Sequence, residues 1–343
     1  MDGRLRFVDD QEPGITRLGR TRFRYRDDAS GKPVRDGDVL ERIKSIAVPP
    51  AWTDVWICSD PRGHLQATGR DARNRKQYRY HPDFRAAREA TKFDELVDFG
   101  HALGDLRIQV DGDLRRSGLP FERVVALVIA LLERTYVRVG NEAYAIENGT
   151  FGLTILRRRH AKVDGSALRL CFVGKGGKRH EVECIDIRLA RIVRRCQELG
   201  GQLLFQYEDD EGDLSPVSSH DVNDYLQRVS GMPSTAKTFR TWGGTVMAAS
   251  GLVERASADP DAEPKAVLKD VIDEVAGCLG NTATVCRASY IHPAVVTAFE
   301  EGDLVTRWQA GPSRAARGLS ADERRLLHLL APRRRRSRPK LAA

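Results

Sequence analysis

Residues 168–185 read Leu168-Arg169-Leu170-Cys171-Phe172-Val173-Gly174-Lys175-Gly176-Gly177-Lys178-Arg179-His180-Glu181-Val182-Glu183-Cys184-Ile185. Leu168 to Val173 and His180 to Ile185 are two short β-prone runs, and Gly174, Gly176 and Gly177 lie between them with Lys175 and Lys178. Glycines between such runs predict a hairpin with a tight basic tip. The apolar run Leu153–Leu156 is expected to add a third strand before it.

Outward from this β island the pattern turns helical. Pro120 to Arg134 carries Val124, Val125, Val128, Leu131 and Leu132 as a helical stripe, with Pro120 near its start. Val267, Leu268, Val271, Ile272 and Val275 form another stripe. Ser219 is the expected N-cap of a helix through Val222, Leu226 and Val229. Residues 91–331 therefore read as a mostly helical domain holding one small sheet.

Residues 1–90 read differently. Arg22-Phe23-Arg24-Tyr25-Arg26 alternates in the manner of a strand, and the turn signal Ser30-Gly31-Lys32-Pro33 follows. Val55–Cys58 and His64–Thr68 flank Asp60-Pro61-Arg62-Gly63, which reads as a hairpin. The fold class expected is α+β: a small β-rich N-terminal domain, then a larger helical one. Residues 332–343 form a basic tail, expected to be disordered.

Composition agrees with this division. A chain of 343 residues is long enough for two domains. A hydrophobic fraction of 41% and a charged fraction of 30% fit a soluble globular protein. The net charge of +8 favours a polyanionic partner, with a merely basic soluble protein equally open. The six cysteines form no C-x-x-C pair and match no zinc spacing, and the thiols read as reduced core residues; no carboxylate cluster suggests a metal site, and neither metal nor cofactor is expected. Met1 to Asp10 lacks the apolar stretch of a signal peptide, and no run approaches the roughly 20 apolar residues of a membrane span. A cytoplasmic protein with access to the chromosome is expected.

Two kinds of motif carry chemistry. Arg70-Asp71-Ala72-Arg73-Asn74-Arg75-Lys76-Gln77-Tyr78-Arg79-Tyr80 interleaves cations with polar and aromatic residues. Arg70, Arg73 and Lys76 can neutralise phosphates, while Gln77, Tyr78 and Tyr80 can reach base edges or stack. A solvated charged loop would look the same. Farther on, Arg138 directly follows the apolar helix, Lys175 occupies the hairpin tip, and Arg240 opens another apolar helix. Taken singly, each arginine is explained as a cation near a helix end. A phosphate-binding P-loop is excluded at Gly177-Lys178, because Arg179 stands where that motif needs a hydroxyl.

In the order Arg138, Lys175, Arg240, Asn281, Tyr290 the chain resembles the type IB DNA topoisomerases, in their compact poxvirus-type and bacterial branch. The resemblance rests on Gly69-Arg70-Asp71, Lys76-Gln77-Tyr78-Arg79-Tyr80, Arg138-Val139-Gly140-Asn141, Gly174-Lys175-Gly176, Lys237-Thr238-Phe239-Arg240 and Ser289-Tyr290. It implies that Tyr290 is a nucleophile forming a 3′-phosphotyrosyl bond with DNA. Lys175 would be the general acid, and Arg138 and Arg240 would hold the phosphate. Many relatives carry His nine residues before the tyrosine; this chain has Asn281, which keeps a hydrogen-bond donor but no charge. Asn281 is preferred to His292 for that place. The resemblance further implies a monomer that closes on duplex DNA as a clamp, relaxes supercoils without ATP or metal, and resides with the nucleoid.

The residue types suit that reaction. A free phenol has a pKa near 10, and adjacent guanidinium groups favour the phenolate. Arginine offers forked donors to the growing phosphoryl charge, whereas only lysine has a titratable proton to give a leaving oxygen. Two other readings remain. Tyrosine recombinases share the chemistry, but they usually carry His-x-x-Arg where this chain has Lys237 to Arg240, and a helical N-terminal domain. A non-enzymatic nucleoid-binding protein would explain the charge and leave the ordered set unexplained.

Overall fold

Contacts along the chain divide it into two units, Met1–Phe93 and Asp94–Ala343. The structure, a computed structural model, describes residues 5–19, 22–72, 74, 76–140, 149–209 and 211–331, without the side chains of residues 89 and 90. Arg73, Asn141 and the basic tail at 332–343 lie outside the described residues.

In the first unit, strands β1 (Ile15–Leu18), β2 (Arg24–Asp27), β3 (Thr53–Ile57), β4 (Leu65–Arg70) and β5 (Lys76–Tyr80) form one antiparallel sheet in the order β2-β1-β3-β4-β5. The strand signal at Arg22–Arg26 and the β3–β4 hairpin stand where the sequence pattern puts them. Between β2 and β3 the chain makes helix α1 (Gly37–Ser45), which no motif announced. Its N-cap Asp36 accepts the Asp38 and Val39 N–H groups, and it buries Ile43 against Ile15, Val55, Ile57 and Ala67. Period-two alternation brings those strand residues to one face.

Helix α2 (Pro82–Leu114) carries the chain onward. Its buried residues Phe93, Leu96, Phe99, Leu103, Leu106, Val110 and Leu114 recur at three- and four-residue spacing. Helix α3 (Phe121–Thr135) starts after Pro120 and is buried on all sides from Val124 to Leu132. Each buried Val, Leu and Ile among them contributes about 1.5–3 kcal/mol, which makes α3 the axis of this core. Strands β6 (Ala161–Asp164), β7 (Ala167–Val173) and β8 (Arg179–Ile185) form an antiparallel sheet, and α4 (Ile187–Glu198) follows. A short ribbon of β9 (Gln206–Glu208) and β10 (Leu214–Pro216) precedes α5 (Ser219–Ser230), α6 (Ala236–Ala258) and α7 (Pro264–Leu279). The described chain ends through α8 (Ala283–Tyr290), α9 (Pro293–Glu300), α10 (Leu304–Gln309) and α11 (Ala321–Leu330). Among the described residues no helix is long and apolar enough to cross a membrane.

Two expectations are corrected. Leu153–Ile155 is a buried 3-10 turn, and the third strand of the sheet is Ala161–Asp164 instead. An unbroken apolar run fits any buried conformation. Here the Leu153 and Thr154 N–H groups bond to the Arg138 and Val139 carbonyls and not to a strand. The cap of α5 is Ser218, not Ser219: its hydroxyl accepts the Asp221 N–H while the Asp221 carboxylate returns to the Ser218 N–H, a capping box that Ser219 is one residue too late to make.

Candidate active site

Helix α6 is the element on which the site is assembled. It packs against α3, α7, α8 and α11. Gly243 and Gly244 permit the closest of these approaches. A Cβ at Gly243 would lie 2.1 Å from the Tyr136 ring, and one at Gly244 would lie 2.7 Å from the Tyr290 carbonyl oxygen. The next residue, Thr245, fixes the end of α8. Its hydroxyl donates to Thr241 O at 2.7 Å, accepts the His292 N–H at 3.1 Å, and stands 3.3 Å from Tyr290 O.

Tyr290 is the last residue of α8 and is only 8% exposed. The Arg240 guanidinium carbon lies 5.1 Å from the centre of its ring, and Lys237 Nζ lies 6.0 Å from it. Burial by itself raises the phenol pKa. The positive charges of Arg240, then Lys237 and Arg138, outweigh it and hold Tyr290 below the usual phenol range.

Arg240 is buried, 4% exposed, in the first turns of α6. It donates to Leu279 O at 2.6 Å and to Tyr136 O. These carbonyls close the C-terminal ends of α7 and α3, where partial negative charge gathers, so the helix-end explanation of this cation is physically correct. It is also incomplete, because the guanidinium has five N–H groups and its buried Nε has no partner among the described residues. Burial, then Arg138, lowers the Arg240 pKa, and Tyr290 opposes them.

Arg138 is placed by two neighbours. Tyr136, the C-cap of α3, takes a left-handed conformation at φ 51°, which turns the chain out of the helix. The 3-10 turn at Leu153–Ile155 then pins the Arg138 and Val139 carbonyls. The Arg138 side chain donates to Asn281 Oδ1 at 2.6 Å. Asn281 follows Gly280, the left-handed C-cap of α7, and its Nδ2 is buried without a partner among the described residues. Lys175 stands exposed on the β7–β8 tip. There Gly176 and Gly177 take φ 79° and 77°, a conformation that favours glycine.

Arg138, Lys175, Lys237, Arg240 and Tyr290 line one cavity of about 410 Å³ with Phe151 on its wall. Asn281 touches this set through Arg138 and lines the neighbouring cleft behind it. His292 caps α9, its Nδ1 accepting the Ala294 N–H. Lys237 belongs to the cluster although sequence reasoning gave it no role; one helical turn before Arg240, it shares a face with that residue. Among the described residues no group of three or more His, Cys, Asp or Glu side chains is arranged to hold a metal ion.

In the first unit, Lys76, Tyr78 and Tyr80 share the exposed face of β5. Tyr78 and Tyr80 stack with centroids 6.1 Å apart, and Lys76 pairs with Asp10 at 2.6 Å. Gln77 lies on the opposite, half-buried face and donates to Asp71. Arg70 donates to Asn74 O at 2.9 Å. Of the described residues expected to meet DNA, Lys76, Tyr78 and Tyr80 share a face of β5 and Gln77 lies on the other.

A sheet-bearing helical unit thus brings four cations and a buried tyrosine to one cavity, and comparison with known proteins identifies the family. The family model described as eukaryotic DNA topoisomerase I, catalytic core, matches residues 81–308, and that of the bacterial DNA topoisomerase IB N-terminal domain matches residues 22–71. The DNA topoisomerase 1B of Acanthamoeba polyphaga mimivirus is 31% identical over 262 residues, covering 74% of this chain and 77% of its own. That of vaccinia virus (strain Copenhagen) is 20% identical over 278 residues, covering 79% and 85%. The chain belongs to the type IB DNA topoisomerases, and the α+β class, the enzyme class and DNA as substrate follow from that membership.

Proposed function

We propose that this enzyme relaxes supercoiled duplex DNA by cutting and rejoining one strand through a covalent bond at Tyr290. The phenol gives its proton to solvent, and the phenolate oxygen attacks a backbone phosphorus. The bond to the 5′-oxygen breaks as the 3′-phosphotyrosyl bond forms, and Lys175 gives its proton to that oxygen. The helix rotates, and the same steps in reverse restore the phosphodiester and the free phenol. One phosphodiester replaces another, so the cycle needs no ATP.

The observation that carries this reading is the single cavity shared by Tyr290, Arg138, Lys175, Lys237 and Arg240. Three cations lower the phenol pKa and increase the nucleophilic form. Unspent guanidinium donors on Arg240 can meet the negative charge that develops on the phosphoryl oxygens. Asn281, behind the cavity, accepts from Arg138 and steadies that guanidinium, and its amide N–H, partnerless among the described residues, is the group that would take up the fourth phosphate contact. These fixed cations can carry the charge stabilisation often supplied by a divalent ion, so relaxation is expected to persist in excess EDTA without ATP. Full loss under those conditions would contradict the metal-free reading.

Residues 1–90 act as the DNA-gripping domain, through Arg70, Arg73, Lys76, Tyr78 and Tyr80, with Gln77 behind them. Residues 91–331 act as the catalytic domain. The working state is a monomer in the cytoplasm on nucleoid DNA. The test is to denature the protein on supercoiled plasmid, isolate the protein–DNA adduct and map the peptide that carries it; attachment anywhere but Tyr290 rejects the proposal.

The role of Lys175 has a sharper signature. Lys175→Ala should slow cleavage of an ordinary site by about 10²–10⁴-fold, the usual contribution of a general acid. A site with a 5′-thiolate leaving group needs no proton and should be cut at close to the normal rate. Equal slowing on both substrates would remove Lys175 from that role.

A further inference from the structure

One imidazole beside the cavity has no part in the chemistry above. His180, on β8, stacks on Phe172 with ring centroids 5.1 Å apart and planes 9° apart. Its edges fill two places that only glycine leaves open. A Cβ on Gly174 would lie 2.5 Å from His180 Cδ2, and a Cβ on Gly280 would lie 2.7 Å from His180 Cε1. Gly174 directly precedes Lys175, and Gly280 directly precedes Asn281. The ring is therefore a wedge between the base of the hairpin tip and the C-cap turn of α7. A second link runs parallel to it, from Lys178 Nζ to Asn281 O at 3.4 Å.

We infer that His180 is a positioning residue: its ring seats the Lys175 hairpin against the Asn281 turn and so sets the aim of the general acid. The inference rests on the transesterification proposed above. Two backbone bonds, Gly174 N–H to Lys178 O at 2.7 Å and Gly177 N–H to Gly174 O at 3.1 Å, close the tip on itself but do not tie it to the rest of the site. Gly176 and Gly177 have open space where side chains would be, and Lys175 is exposed. A two-glycine tip without a buttress samples many orientations, and proton transfer requires one. His180 suits the task because it remains a neutral, flat ring among cations. Burial, then Arg138, Arg240 and Lys178, keep its pKa below the usual imidazole value.

The test uses the full-length enzyme and two substrates with the same cleavage site, one with the ordinary 5′-oxygen and one with a 5′-thiolate leaving group. His180→Ala should slow cleavage at the oxygen site by about 10²-fold, the cost of a displaced catalytic group, and the thiolate site by less than about threefold. Near-normal thiolate cleavage also reports that the variant is folded. The double variant of His180→Ala and Lys175→Ala should be no slower than Lys175→Ala alone, because His180 acts only through that lysine. Equal slowing on both substrates, or a further loss in the double variant, overturns the inference. Should the wild type form no Tyr290 adduct at all, the underlying reaction fails too, and that result is distinct from either of these.

Discussion

Tyr290→Phe should form no covalent adduct with supercoiled DNA and should lose relaxation by at least about 10⁴-fold, as expected when a nucleophile is deleted. The substitution removes one oxygen and its hydrogen bond with Arg240, and leaves the rest of the residue's packing in place. The contacts that hold the residue in place come from its backbone, through Thr245 and the close approach of Gly244, and from the ring beside Arg240 and Lys237. All of these survive in phenylalanine. The cations that would meet the DNA phosphates also survive, so non-covalent binding should change by less than about twofold, within the ±0.5 kcal/mol of a mild substitution. Denaturant-trapped adduct, plasmid relaxation and equilibrium binding are three separate readings on one preparation. Residual relaxation at a tenth of the wild-type rate would mean that another group attacks the phosphorus.

Much of this site was legible because its parts have local causes. The hairpin that carries Lys175 is announced by three glycines between two strand-like runs. The helix before Arg138 is announced by its apolar stripe, and α7 by another. What sequence could not show is how those parts converge. Lys237 comes near the Tyr290 ring only because α6 and α8 pack closely at Gly244. Asn281 reaches Arg138 through a turn far away in sequence. Leu153–Ile155 looked like a strand because burial, not alternation, dictates its composition; its real task is to hold the backbone at Arg138. In the first unit, Tyr78 and Tyr80 are on one face of β5 and Gln77 is on the other, as period two requires. Helix α2 was equally legible in its second half, where the spacing from Phe93 to Leu114 is helical; its polar first half hid the signal.

Glu323→Ala should destabilise the enzyme by about 3–5 kcal/mol at neutral pH, the usual effect of deleting one partner of a buried ion pair. Glu323 lies on α11, beyond the residues matched by the catalytic-core family model. It is 6% exposed and binds Arg107 of α2 through both oxygens, at 2.7 and 2.8 Å. It also accepts the indole N–H of Trp242 at 3.0 Å, and Arg107 bonds to Glu133 of α3 at 2.7 Å. One carboxylate thus ties α2, α6 and α11 together, two residues from Arg240. Burial raises the Glu323 pKa, but the Arg107 bonds and the Trp242 N–H outweigh it and hold the group at about 2 against the usual 4.5. A depressed folded-state pKa means that the unfolded chain binds the proton more tightly. The stabilisation is therefore complete above pH 4.5 and is lost as pH falls toward 2, where the group titrates in the folded protein; the whole window is worth about 3 kcal/mol. The stability gap between wild type and variant should accordingly be widest at neutral pH and narrow as the pH drops through 4, read by chemical denaturation at both ends. A gap that stays constant with pH would mean that packing, not the carboxylate charge, holds α11 to α6. Because Trp242 and Arg240 share α6, the same variant links a helix outside the common core to the cation beside the nucleophile.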